Sequence, residues 1–91
     1  MPQKAFTRLV TLGMSAKEIL PDNPARKYCL IINDNATYPA YIGLGDSAIT
    51  TSHGIRINVD GGNYEINATN LWTGPIYGIA AAAINILVTE W

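Results

Sequence analysis

Ile19-Leu20-Pro21-Asp22-Asn23-Pro24-Ala25-Arg26-Lys27-Tyr28-Cys29-Leu30-Ile31-Ile32-Asn33 is the stretch from which the fold is read. Its two halves have opposite character. Pro21 and Pro24 fix φ and remove two backbone donors, and Asp22 and Asn23 favour turns, so residues 21–25 form no regular element. Tyr28 to Ile32 is an unbroken apolar run of β-formers, too short for a typical helix and closed by Asn33, Asp34 and Asn35. It reads as a strand buried on both faces and fed by a rigid loop, with Arg26 and Lys27 at its mouth as outward-facing contacts.

Working outward, Ala5 to Leu12 favours β structure and is stopped by Gly13. Its alternation is imperfect because Leu9 and Val10 are both apolar. Residues 1–13 are therefore either an edge strand or an extended arm lying on a neighbouring subunit, and residues 14–91 form the domain. Ser15 and Glu18 match a capping box, but too few residues separate them from Pro21 for a stable helix. Met14 to Leu20 is read as a short strand ending at Ile19-Leu20.

Downstream, Tyr38 to Leu44 reads as a strand whose start is restricted by Pro39. Asp46 to Gly54 is a polar loop. Ile55 to Asp60 alternates cleanly, with Ile55, Ile57 and Val59 inward. Asp60-Gly61-Gly62-Asn63 is the strongest turn signal, returning the chain into Tyr64–Ile66 as the partner strand. Asn67 to Pro75 is a loop anchored by Leu71 and Trp72. Ala80 to Ala83 favours helix by propensity, yet its flanks are β-branched or aromatic. Two strands, Ile76 to Ala81 and Ile84 to Glu90, are expected, with no Gly or Asn at the intervening turn.

The sum is an all-β chain: a small antiparallel β-sandwich or jelly-roll-like barrel of seven to eight short strands. Its 91 residues give one domain of marginal burial, for which association with copies of itself is a natural supplement. Charged residues make up 14% of the chain, against roughly 25% in ordinary soluble domains. The surface must therefore be built from small polar and apolar groups, which suits contact with another protein. Net charge is −1 and no basic cluster extends beyond Arg26-Lys27, which argues against nucleic acid as a partner. The N-terminus lacks the apolar core of a signal peptide, and residues 76–88 are too short to span a membrane.

Catalytic chemistry is not visible. His53 stands beside Ser52 and downstream of Asp46, but adjacent residues seldom face one another and no nucleophile-elbow pattern supports a triad. One Cys and one His cannot close a zinc site, and the glycine pairs do not precede a helix. The chain is expected to be no enzyme and to need no cofactor or metal. Cys29 reads as an inert core thiol. Trp72, Tyr77, Tyr38 and Tyr41 are either core residues or a stacking platform for sugars or bases. Asn35-Ala36-Thr37 and Asn67-Ala68-Thr69 match the glycosylation pattern, though an Asn- and Thr-rich composition produces it without modification.

The order of motifs resembles that of small β-sandwich virion structural proteins of tailed bacteriophages. The resemblance rests on Ile19-Leu20-Pro21, Pro24 and Arg26 leading into Tyr28–Asn33, then Ala40-Tyr41-Ile42-Gly43-Leu44-Gly45 and Gly54-Ile55-Arg56. Gly61-Gly62-Asn63-Tyr64-Glu65, Trp72-Thr73-Gly74-Pro75-Ile76-Tyr77-Gly78-Ile79-Ala80 and Leu87-Val88-Thr89-Glu90 complete it. Cys29 and the alanine run depart from the pattern. The resemblance implies a capsid decoration (cement) protein or head-fibre subunit, made in the host bacterial cytoplasm and assembled on the virion as a symmetric homo-oligomer, a homotrimer first of all. It would bind the major capsid protein. The alternative it leaves open is a glycan- or receptor-binding fibre, tail or neck component. Phe6, Arg8, Arg26, Lys27, Trp72 and Trp91 are the expected partner contacts.

Overall fold

The computed structural model describes residues 6–91, and among them there are eight strands and no helix. In chain order these are β1 (Phe6–Leu12), β2 (Lys17–Leu20), β3 (Cys29–Asn33), β4 (Ala40–Leu44), β5 (Ile55–Ile57), β6 (Asn63–Ile66), β7 (Ile76–Ala80) and β8 (Ile84–Glu90). They form two four-stranded antiparallel sheets, of order β1-β8-β3-β6 and β2-β7-β4-β5. Pairing is nested: β1 with β8, β2 with β7, β3 with β6, and β4 with β5. The first half of the chain thus lies antiparallel to the second, the strand order of a jelly roll.

Nesting makes every connection except β4–β5 cross from one sheet to the other. Two sequence expectations change as a result. The turn at 60–63 is real, with Asp60 at φ 57° and Gly61 at φ 89°, but it does not close a hairpin. β5 pairs with β4 and β6 pairs with β3. The expected strand over 55–60 stops at Ile57 because the following residues bend to dock on the end of β3. There Asp60 N–H donates to the Asn35 carbonyl and Gly61 N–H to the Asn33 carbonyl, both at 2.9 Å. The Ala80–Ala83 segment is likewise a corner between sheets, which accounts for its lack of hairpin residues.

β1 is a strand of the sandwich itself, in unbroken register with β8 from Phe6↔Glu90 to Leu12↔Ile84. Residues 1–5 of the expected arm lie outside the described residues. The core is a layer of aliphatic side chains, Leu20, Ile31, Ile42, Ile57, Ile66 and Ile86 among them, contributed by both sheets. The sheets approach closely at Gly78, where a Cβ would come within 2.8 Å of Leu12 on the facing sheet and 2.6 Å of Ile19 on the neighbouring strand of its own.

β3 is not buried on both faces, as its continuous apolar run suggested. Cys29, Ile31 and Asn33 face the core, whereas Leu30 and Ile32 are half-buried on the outer face. Two polar residues bracket it. Asn33 is fully buried; its amide donates to the carbonyls of Tyr38 (2.9 Å) and Ile57 (3.3 Å), and its side-chain oxygen accepts from Asn35 N–H (3.0 Å). Arg26 sits at the other end.

Candidate interaction surface

Arg26 is the largest departure from expectation. Expected to point outward, its side chain is 0% exposed. Its Nε donates to Glu90 at 2.8 Å, Nη1 to the carbonyls of Trp72 (3.1 Å) and Gly74 (2.9 Å), and Nη2 to the carbonyl of Pro21 (2.9 Å). A planar fork of fixed donors suits this task, and a buried charge needs such partners. Arg26 therefore ties the β2–β3 loop, the β6–β7 loop and the end of β8 together, and it offers nothing to a partner. The proline corner brings it there, with Arg26 N–H donating to Asn23 C=O at 2.9 Å.

Trp72 is an architectural residue too. It packs against the core, its Nε1 donates to Pro75 C=O at 3.0 Å, and its ring lies under Gly45 and Gly74, where any Cβ would fall within 2.8 Å of it. Leu71, by contrast, is 49% exposed and anchors nothing. Lys27 and Arg8 are exposed, and Tyr77 is half-buried. Phe6 lies in β1, opposite Glu90.

Trp91 belongs to a surface that the sequence only hinted at. Its ring stacks on Tyr28 at 4.3 Å between centroids and 23° between planes. Both lie at one end of the outer face of the β1-β8-β3-β6 sheet. Alternation along the strands puts Leu30 and Ile32 of β3, Leu87 of β8 and Leu9 of β1 on the same face. Register sets Leu9 beside Leu87 and Leu87 beside Ile32, so an apolar row crosses three strands. Leu9 is 58% exposed and Leu87 38%. Thr7, Thr11, Thr89 and Asn85 fill the rest of these strands' outer positions. The signal was present in each strand as an irregularity: Leu9 beside Val10, the run Leu30–Ile32, and Leu87 where a polar residue would keep the alternation.

At the aromatic end of this face, the Tyr28 hydroxyl donates to Glu65 and Asn67 Nδ2 donates to the other carboxylate oxygen at 3.1 Å. The Tyr28 bond, and then that from Asn67, holds the Glu65 carboxyl below its ordinary 4.5, while Glu65, and next desolvation, raises the Tyr28 phenol above 10.0. The Glu65 contribution to stability is present above its ordinary value and lost as pH falls through the lowered one. The Tyr28 contribution is present below 10.0 and lost as pH rises through the raised one. Burial pushes the Cys29 thiol up to about 11, in keeping with an inert core residue.

His53 Nε2 stands 3.8 Å from Asp46 on an exposed loop, but the Ser52 hydroxyl pairs with Thr50 at 3.4 Å. No group of three metal-ligating side chains gathers among the described residues. Both glycosylation-like triplets are turn chemistry. Asn35 Oδ1 accepts from the N–H of Thr37 and Tyr38, and Asn67 Oδ1 accepts from the N–H and hydroxyl of Thr69. An open cleft of about 390 Å³ lies between Met14, Thr50, Thr51 and the Ile79–Ala81 strand end, with no ionisable lining. No described helix is long and apolar enough to cross a membrane. No family model, curated protein or solved structure matches the chain.

Proposed function

We propose that this chain is a structural protein of a tailed-bacteriophage virion, which associates with copies of itself and decorates the capsid by binding the major capsid protein. The observation that carries the reading is the uncharged apolar row Leu9–Leu87–Ile32 on an outer sheet face, where an antiparallel sandwich ordinarily places polar residues. The residues behind the phage resemblance support it differently. Arg26, Gly61, Gly62, Trp72 and Gly74 all sit at corners or buried ties, so those motifs speak for a shared architecture and the docking role falls to the face. A location on the virion and a role without catalysis are part of the proposal, and the trimer that the resemblance implies is the assembly that competes with the two-fold pairing inferred below. A second reading, glycan or receptor recognition by a fibre or neck part, draws on the Tyr28–Trp91 pair beside Glu65 and Asn67 and no longer on Trp72.

Quantitative mass spectrometry of purified particles tests the proposal. A copy number comparable with that of the major capsid protein is expected for shell decoration. A number matching a single vertex ring favours the fibre or neck reading, and absence from particles overturns both.

A further inference from the structure

We propose that two copies of this chain join along β1, antiparallel about a two-fold axis through the Leu9 pair, extending β1-β8-β3-β6 into one continuous sheet. The hydrogen-bond phase of the sheet sets this up. Tyr28 and Trp91 exchange backbone bonds in both directions, at 2.9 and 3.1 Å, so Trp91 and the alternate residues Thr89, Leu87 and Asn85 turn their backbone groups toward β3. Glu90, Val88, Ile86 and Ile84 then serve β1, through Phe6, Arg8, Val10 and Leu12. Thr7, Leu9 and Thr11 then turn N–H and C=O away from the sheet, along an edge seven residues long without bulge or proline, where the Thr11 carbonyl accepts from exposed Lys17 Nζ at 3.2 Å, a bond that pairing replaces.

The other three edges are shaped against pairing. β2 has four residues, with a register shift between Glu18 and Leu20, and runs into Pro21. β5 has three residues and β6 four. A second copy fits the β1 edge because the strand is complementary to itself. With Leu9 opposite Leu9, Thr7 meets Thr11 and Arg8 meets Val10, so no like charges face one another. The apolar row Ile32–Leu87–Leu9 then runs unbroken across the axis into its counterpart. The pairing is two-fold, so a three-fold assembly would need another surface.

Light scattering on the purified full chain tests this without any particle. A dimer that dissociates on dilution is expected. Leu9→Pro removes an N–H that serves no bond within the sheet, and Leu9→Lys places two like charges on the axis. Each should give a monomer with an unchanged circular dichroism spectrum. If either variant fails to fold, crosslinking decides. Leu9→Cys should form a disulfide-linked dimer, because residues paired in this way lie about 5.5 Å apart. Leu87→Cys, roughly 14 Å from its counterpart across three strand spacings, should not. A parent that stays monomeric, a three-fold mass, a dimer that survives both Leu9 variants, or equal crosslinking at both sites would overturn it. Capsid binding by a monomer would overturn this inference while leaving the capsid reading intact.

Discussion

Arg26 holds three separated segments with one guanidinium, and its Glu90 partner is itself only 13% exposed. Arg26→Ala leaves that carboxylate and three backbone carbonyls without their donor. The expected loss is about 3–5 kcal/mol, a large share of the stability of a domain this small. Arg26→Lys keeps the charge but not the fork, and should fall between parent and Ala; urea denaturation of the three proteins measures the order. None of this could be read from the chain. A basic residue after a proline loop ordinarily faces water, and its acidic partner lies 64 positions away. Cys29 was legible because its neighbours along the strand are apolar, and burial followed from them. Trp72 was legible as an anchor but not as a half-buried ring packed beneath two glycines.

At the scale of the element, the strands were legible where alternation and turn residues agreed. Each of the eight falls on an expected segment, because strand formation and turn chemistry are written in adjacent residues. Partner choice is not. The Asp60–Asn63 turn carries every residue of a hairpin, yet it joins two sheets, since the bonds that fix it come from Asn33 and Asn35. The outer apolar row was hidden for a related reason: a continuous apolar run such as Leu30–Ile32 looks alike whether its second face meets protein or solvent. The corner itself is testable. An Ala at Gly61 meets no atom within 4 Å and bears only the cost of φ 89°, about 1–2 kcal/mol. A Cβ at Gly62 collides with the Asn58 backbone, which cannot swing aside as a side chain would. Gly62→Ala is therefore expected to be the more destabilising of the two, by midpoint of urea unfolding, and Gly61→Ala the milder.

For the whole molecule, the nested order brings the two ends of the described chain together, with Phe6 opposite Glu90. The fold class was legible in the chain, since eight short strands with little charge have few other ways to bury themselves. The nesting was not, because no local pattern encodes it. The sandwich also has sharply unequal margins: three short or irregular edges and one long regular edge at β1. That inequality gives self-association a definite place and leaves the face beside it for a second kind of contact.

The nesting has a consequence in time. Among the paired strands only β4 and β5 follow one another along the chain, joined by residues 45–54. Each pair outside them closes a longer stretch of chain, and does so cheaply only once the inner pair has formed. Folding should therefore run from the inside outward, with β1 meeting β8 last. Stopped-flow chevrons can check this: Ile57→Val, in β5, should mainly slow folding, and Val10→Ala, in β1, should mainly speed unfolding. An edge that exists only after everything else is in place cannot recruit a half-folded neighbour. Two copies would then meet as finished molecules, and the sticky margin would be kept out of the crowded interval in which aggregation competes.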